Sequence, residues 1–144
     1  MTTRAVTVAG RTAPRGAYPH LRVVGDTVFV SGTSARRPDG TVAGADLGAD
    51  GEIALDIQAQ TRAVLDNIAA LLDAVGLSLR DLVDLTTFLV TMDHFDGYNE
   101  VYAEYFSTDS GPARTTIAVH QLPHPHLAIE IKATAVTHTT EDLQ

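Results

Sequence analysis

The stretch LAIEIKATAV, residues 127–136, alternates in its side chains and decides the fold class of this chain. Its larger apolar members fall on one side of an extended strand: Leu127, Ile129, Ile131 and Ala133. The residues between them fall on the other side: Ala128, Glu130, Lys132 and Thr134. Successive side chains of a strand point to opposite faces, so the pattern predicts a strand with one face in the core.

Two segments upstream of this strand carry apolar residues at three- and four-residue steps, which is typical of amphipathic helices. The first begins near Asp56 and ends before Gly76, two residue types that favour helix boundaries. Its apolar stripe consists of Ile57, Thr61, Val64, Ile68, Leu71, Leu72 and Val75. The second covers residues 95–106 and holds most of the aromatic side chains of the chain: Phe95, Tyr98, Tyr102, Tyr105 and Phe106.

The remaining strands are predicted from β-branched and apolar runs. Residues 23–30 form a hairpin about Gly25-Asp26, residues 82–90 and 115–119 form two further strands, and a short strand is expected near Ile53. This order predicts an α+β fold, in which one mixed sheet carries two helices on one face. We expect a single domain over residues 1–144, of which residues 138–144 are a polar tail that frays.

The sheet face without helices is expected to carry Ala128, Thr134, Thr116 and Ala118, which are small and only half polar. Such a face is not charged enough to favour contact with water, and the helices of the chain do not cover it. We therefore expect that another subunit of a closed homo-oligomer covers it.

Composition excludes several classes of function. The 144 residues are 44% hydrophobic, contain no cysteine and carry a net charge of −8. Disulfides, thiolate metal sites and thiol nucleophiles are excluded, and the charge disfavours nucleic acid and anionic membranes as partners. The first residues lack the continuous apolar stretch of a signal peptide, so we expect a cytoplasmic protein.

The charge is nevertheless unevenly distributed. Residues 1–37 contain six arginines and one acid, a local charge of +5, whereas residues 38–144 carry −13. Arginine is the basic residue suited to the forked recognition of carboxylates, but the asymmetry does not by itself define a function.

Arg114 and Glu130 are the most informative charged pair. Glu130 lies in the middle of an apolar strand, where its carboxyl is desolvated unless a cation accompanies it. A structural Arg–Glu bridge across neighbouring strands and a catalytic site both explain this pattern, and the residues alone leave the two alternatives open.

Other candidate groups carry weaker signals. His120, His124 and His126 lie on a turn with Pro123 and Pro125, and nothing completes a metal site around them. Ser31 has no nucleophile-elbow context, so its hydroxyl is expected to bind substrate or to cap a strand. Nucleotide-binding glycine motifs are absent from the sequence. We therefore expect neither a metal nor a cofactor.

The chain resembles the Rid (YjgF-type) family along nearly its whole length. The segments that carry the resemblance are 112–117 (PARTTI), 127–131 (LAIEI), 16–18 (GAY), 29–32 (FVSG) and 98–102 (YNEVY). The resemblance implies a chorismate-mutase-like fold and a homotrimer with active sites between subunits. It also implies hydrolytic deamination of enamine or imine acids.

The resemblance further implies roles for particular residues. Arg114 is expected to hold the substrate carboxylate and Glu130 to handle protons and water, while Tyr18, Ser31 and Asn99 line the pocket. The family's archetype carries a cysteine at the position of Thr116, so thiol-dependent side chemistry is not expected here.

Segments 31–39 (SGTSARRPD) and 119–126 (VHQLPHPH) resemble the 2-aminomuconate deaminases of aromatic catabolism more closely. Those enzymes convert the dianionic enamine 2-aminomuconate into 4-oxalocrotonate (2-oxohex-3-enedioate) and ammonia without a cofactor. We expect hydrolysis through the imine tautomer, with Arg114 on the carboxylate next to the reacting carbon and water activated by Glu130. Candidates for the second carboxylate are Arg36, Arg37, His120 and His126.

Two other functions remain open. The first is a general deaminase of small reactive enamines and imines such as 2-aminoacrylate and 2-iminopropanoate. The second is a non-catalytic trimer that binds ligands or has a regulatory role.

Overall fold

The computed structural model describes residues 2–137. The expected frayed tail, residues 138–144, lies outside the described residues. The strands are β1 Thr3–Val6, β2 Leu21–Val24, β3 Thr27–Thr33, β4 Ala45–Leu47, β5 Ile53–Leu55, β6 Leu82–Leu89, β7 Ala113–Ala118 and β8 Ile129–Val136. The helices are α1 Ile57–Asp73 and α2 Phe95–Tyr105, and short 3₁₀ turns at Leu79–Asp81 and Met92–His94 precede β6 and α2.

Six strands form one mixed sheet in the order β1-β2-β3-β8-β6-β7, and β4 pairs with β5 in a separate ribbon. Strands β6 and β7 are parallel, and the other neighbours are antiparallel. Helix α1 packs against β3, β8 and α2. The predicted α+β fold, with a mixed sheet and two helices, is therefore confirmed.

Helix α1 shows how local sequence sets these boundaries. Asp56 caps its first turn, because its carboxylate accepts a hydrogen bond from the backbone N–H of Ala59 at 3.0 Å. Gly76 adopts a positive φ of 79° just beyond the end, a conformation that glycine favours. The helix ends at Asp73, two residues before the predicted stripe does, and the chain turns over residues 74–76.

The central strand β8 begins at Ile129, two residues later than predicted. Leu127 and Ala128 are buried but lie outside the sheet. The Ala128 N–H donates to the side chain of Gln60 in α1 at 2.8 Å instead of to a neighbouring strand. From Ile129 onwards, alternate residues are fully buried as the pattern predicts: Ile129, Ile131, Ala133 and Ala135.

The opposite face of the sheet is open within residues 2–137. Phe29 and Ile117 are 40% and 41% exposed there. The expected position of Thr116 and Ala118 on this face is wrong. In the parallel pairing of β6 with β7 they lie level with Thr87 and Leu89, whose side chains are buried on the helix side. Within the same residues, neither helix has the length and apolar character needed to cross a membrane.

Candidate active site

A pocket opens where β3 loses its regular pairing with β8. The register shifts between Val30 and Thr33, which marks a β-bulge at Ser31-Gly32. Gly32 leaves room for Glu130, because a Cβ at Gly32 would lie 2.9 Å from Glu130 Oε2. The cavity measures about 120 Å³. Its polar lining consists of Arg11, Thr12, Arg15, Tyr18, His20, Ser31, Thr33, Ser34, Arg36, Asn67 and Glu130.

Glu130 has the properties of a group that transfers protons. Its carboxylate makes no hydrogen bond to another residue within 2–137, and burial raises its pKa above the usual value. The positive charge of Arg36 opposes that rise but does not cancel it. A carboxyl whose pKa is raised by burial is a candidate for accepting and returning a proton during a reaction.

Ser31 and Tyr18, two residues that the family resemblance places at the site, line the same pocket as Glu130. The Ser31 hydroxyl donates to the Pro19 carbonyl at 2.8 Å, so it is oriented but has no base to activate it. Tyr18 is largely exposed, and its hydroxyl accepts a hydrogen bond from the Arg15 N–H at 3.3 Å. Both hydroxyls are placed to hydrogen-bond a ligand.

Arg36 and Arg37 are adjacent in sequence, but their side chains lie in different surroundings. Arg36 lines the pocket and is 8% exposed, and burial and the nearby Arg15 charge lower its pKa. Arg37 is exposed, donates to the Thr41 hydroxyl at 3.1 Å and lies outside the pocket lining.

Arg114 is held in a second cluster beneath α2. Its guanidinium donates to Asn99 Oδ1 at 2.9 Å and lies 4.7 Å from the ring centre of Tyr102 and 5.0 Å from that of Tyr98. Such cation–π contacts position a guanidinium while leaving its remaining N–H groups free to bind an anion.

Two buried hydroxyls in this cluster have no hydrogen-bond partner within residues 2–137: Thr116 Oγ1 and Tyr102 Oη. Burial raises the pKa of Tyr102 to about 12, so this hydroxyl remains protonated. Arg114 and Asn99, two of the predicted site residues, are therefore joined in one polar group with Tyr102, apart from the Glu130 pocket, and the predicted site residue Thr116 lies on the same strand as Arg114.

One subunit does not bring Arg114 and Glu130 together. Strand β6 separates β7 from β8, and Arg114 lies level with buried Leu85 on the helix side. Glu130 lies level with Phe88 on the open side. No ion pair joins Arg114 to Glu130 in the described part of the chain, so the structural bridge that the sequence left open is not formed.

The histidines occupy the turn before β8. The rings of His124 and His126 lie 4.7 Å apart, and His120 and His124 line a second, shallow cavity. Burial lowers the pKa of His124, and the neighbouring His126 lowers it further. His126 lines neither cavity, and residues 2–137 contain no group of three or more His, Asp or Glu side chains placed to hold a metal ion.

Sequence reasoning missed several polar residues of the pocket, among them Arg11, Thr12, Arg15, His20 and Asn67. The two arginines belong to the basic segment 1–37, whose charge was the available signal. Asn67 interrupts the apolar side of α1, between Val64 and Leu71, which marks a helix position that bonds to a neighbouring segment. The buried ring of His20 bonds to the Val8 N–H and to the Thr12 carbonyl. No local sequence pattern indicates these contacts.

Comparison with known proteins identifies the family to which this α+β chain belongs. The family model described as Endoribonuclease L-PSP matches residues 9–137. This chain therefore belongs to that family, and the resemblance to Rid proteins is confirmed. A Yersinia pestis protein of the conserved Rid family is similar in structure, with a TM-score of 0.77 and 27% identity over 94% of this chain and all of that one.

Other relatives carry functional names. A RutC family protein of Pyrococcus horikoshii is 42% identical over 85% of this chain and 88% of its own length. The 2-iminobutanoate/2-iminopropanoate deaminase of Escherichia coli is 32% identical over 90% of this chain and 96% of its own length. The structure of Escherichia coli TdcF with bound serine matches with a TM-score of 0.76 and 30% identity, over 94% of this chain and 99% of that one.

Proposed function

We propose that this protein is a deaminase that hydrolyses small enamine and imine acids without a cofactor. The observation that carries the proposal is Glu130, a carboxyl with a raised pKa and no hydrogen-bond partner within residues 2–137, in an open pocket with Ser31 and Tyr18. The name of the 2-iminobutanoate/2-iminopropanoate deaminase supports the same chemistry, since that relative covers nearly the whole chain.

The proposed active site is completed by a second copy of the chain. Arg114, Asn99 and Thr116 of one subunit face the Glu130 pocket of the next in a homotrimer. The apolar residues of the open sheet face, Phe29 and Ile117, support such an assembly, because exposed apolar patches mark interaction surfaces. Arg114 then binds the carboxylate next to the reacting carbon through a forked ion pair.

The reaction needs one water and balances without a redox partner. An enamine first tautomerises to the imine, whose carbon is electrophilic. Glu130 takes a proton from water as the oxygen bonds to that carbon, and the resulting carbinolamine nitrogen receives the proton. The carbinolamine hydroxyl then gives up its proton to the nitrogen through Glu130 as the C–N bond breaks, and ammonia and a 2-oxo acid leave.

The test is the rate of 2-iminobutanoate hydrolysis above the spontaneous reaction, with the imine generated enzymatically in the assay. Wild-type protein should accelerate it, and Glu130→Gln should lower kcat by about 100-fold or more, because general acid–base catalysis contributes a factor of this size. Glu52→Gln, an exposed carboxylate outside the pocket, is the control and should match wild type. Near-wild-type turnover by Glu130→Gln would disprove the assigned role.

A second candidate is the deamination of 2-aminomuconate in aromatic catabolism. The buried Arg36 beside Glu130 favours it, because a small monocarboxylate has no second acidic group to neutralise this cation. Stopped-flow decay of enzymatically generated 2-aminomuconate, compared with 2-iminopropanoate, distinguishes the two substrates. A decay equal to the spontaneous rate would reject 2-aminomuconate.

A non-catalytic ligand-binding trimer is the remaining alternative. Such a protein would bind small carboxylic acids, as the serine bound to TdcF illustrates for that relative, but would accelerate neither reaction. RNA cleavage, suggested by the family's description, is disfavoured by the −8 charge of the chain. A cytoplasmic location is part of the proposal, in keeping with the absence of cysteine from the sequence.

A further inference from the structure

The Glu130 pocket contains an excess of positive charge. Three arginines line it, Arg11, Arg15 and Arg36, and Glu130 is the single carboxylate in the lining. This balance is the reverse of that in the whole chain, whose net charge is −8. The pocket therefore has the electrostatics of a site for an anion.

Arg36 lacks the partners that a buried guanidinium normally has. It is 8% exposed, yet its Nη1 has no hydrogen-bond partner within residues 2–137, and the same is true of Arg11 Nε. No described carboxylate lies within ion-pair distance of either side chain. Burying an unpaired cation is costly, so such a group is expected where a bound ligand supplies the negative charge.

The arginines are held in place by a polar residue of α1. Asn67 Nδ2 donates to the carbonyls of Ser34 and Arg36 at 2.9 and 3.2 Å, and Asn67 Oδ1 accepts from Arg11 Nη2 at 2.7 Å. The Thr12 hydroxyl donates to the same Arg36 carbonyl at 3.0 Å. These bonds fix the backbone of Arg36 and the side chain of Arg11 before any ligand arrives, which lowers the entropic cost of binding.

We propose that Arg36, with Arg11 and Arg15, forms a second anion site that binds the distal carboxylate of a dicarboxylic enamine or imine acid. This inference rests on the proposed deaminase function, because it assumes that the reacting carbon lies at Glu130. The carboxylate next to that carbon goes to Arg114 of a second subunit, and the other end of the substrate enters the arginine pocket. Substrates with two carboxylates are thereby preferred over monocarboxylates of similar size.

Binding of unreactive acids tests the anion site without any catalysis. Adipate and its monoamide differ only in the charge at one end. Isothermal titration should show that adipate binds wild-type protein at least about tenfold more tightly, as one good charge-assisted contact provides. Arg36→Gln should remove this difference, whereas Arg80→Gln, an exposed arginine outside the pocket that undergoes the same charge change, should retain it. Equal affinities of the wild type for the two acids would overturn the proposal.

Turnover assays distinguish a failure of the anion-site proposal from a failure of the proposed deaminase function. Arg36→Gln should lower kcat/KM for a dicarboxylic enamine about tenfold or more beyond any loss it causes for 2-iminobutanoate, because only the dicarboxylic substrate has a distal carboxylate to lose its partner. Equal losses on both substrates would mean that Arg36 only adjusts Glu130, and the anion site would be wrong. If the wild type hydrolysed neither substrate while preferring adipate, the deaminase function would fail and the anion site would stand.

Thermal unfolding shows whether Arg36→Gln is folded. If it is not, Arg15→Gln takes its place, because Arg15 is exposed and its loss leaves the core intact. This variant should weaken adipate binding about two- to threefold and leave binding of the monoamide unchanged, since Arg15 is more screened by water than Arg36. Unchanged adipate binding would then count against the site.

Discussion

At the scale of single residues, Glu130 links the chemistry of the pocket to the stability of the fold. Its carboxyl lies half-buried on a strand whose opposite side is the core, and Arg36 supplies only part of the charge compensation. A catalytic carboxyl held in such an environment is expected to destabilise the native state when ionised.

The first prediction follows from the direction of that pKa shift. The folded pKa of Glu130 is raised, so the carboxyl contributes stability while protonated, below its unfolded pKa of about 4.3, and this contribution is lost as pH rises through the folded value. At pH 7, Glu130→Gln should therefore unfold at a higher temperature than wild type. The gain in free energy of unfolding should be less than about 1 kcal/mol, because the site is partly exposed to water. The difference should disappear near pH 4, and Glu52→Gln should show none at either pH.

Gly32 provides a second prediction at this scale. A Cβ there would meet Glu130 Oε2 at 2.9 Å and Cδ at 3.1 Å, and these atoms end a flexible side chain that can move. Gly32→Ala should cost less than about 1 kcal/mol of stability but lower kcat about tenfold or more, because misplacement of a catalytic group is costly. Gly48→Ala places a Cβ 2.8 Å from the Asp50 carboxylate far from the pocket, and it should keep full activity. A fully active Gly32→Ala would show that the carboxylate position is not critical.

At the scale of elements, Gln60 determines how the segment before β8 leaves the sheet. This fully buried side chain donates to the His126 carbonyl at 2.7 Å and to the Gly44 carbonyl at 3.4 Å, and it accepts from the Ala128 N–H at 2.8 Å. The amide thereby takes the Ala128 N–H that would otherwise donate to a neighbouring strand, and it joins α1 to two loops.

Replacement of Gln60 by leucine should destabilise the protein by about 2–4 kcal/mol, because the His126 carbonyl and the Ala128 N–H lose their partner while the Gly44 carbonyl keeps the Asp56 N–H. Denaturant unfolding measures the loss. Gln58→Leu removes a bond to Glu100 at the surface and should cost less than about 1 kcal/mol. Equal effects of the two substitutions would show that the buried amide is not what holds these segments.

The elements that the sequence predicted are those with long periodic patterns, such as α1 and β8. Strands β1 and β4 were not predicted, because three or four mostly exposed residues carry no periodicity. The first residue of β8 was misplaced for a different reason. Leu127 and Ala128 continue the alternation, but Gln60, 68 residues before Ala128 in the chain, takes the N–H that would have extended the ladder.

At the scale of the whole molecule, the site residues fall into two groups on opposite sides of one sheet. The sequence could identify Glu130 because it is a charged residue in an apolar strand, and Arg114 because it is the single basic residue in the acidic stretch 81–131. It could not place them on the two sides of the sheet, since that follows from the insertion of β6 between β7 and β8.

Mixing of inactive variants tests whether two subunits share a site. Arg114→Ala and Glu130→Gln should each be inactive alone. If each site takes Arg114 from one subunit and Glu130 from another, trimers formed from equal amounts of both should regain about a quarter of wild-type activity, the share of sites with both residues intact in random assembly. Recovery is measured after co-refolding. No recovery, in mixtures shown to contain both chains, would place the complete site within one subunit.

Thr116 lies two residues after Arg114 on β7, and the 144-residue sequence contains no cysteine at this position or elsewhere. Peroxide, nitrosating agents and electrophiles that modify thiols find no sulfhydryl to attack, and within residues 2–137 the exposed thioether of Met92 is the sulfur they can reach. These 144 residues therefore offer no thiol for reversible oxidation. The same feature makes any cysteine introduced at the surface a unique chemical label.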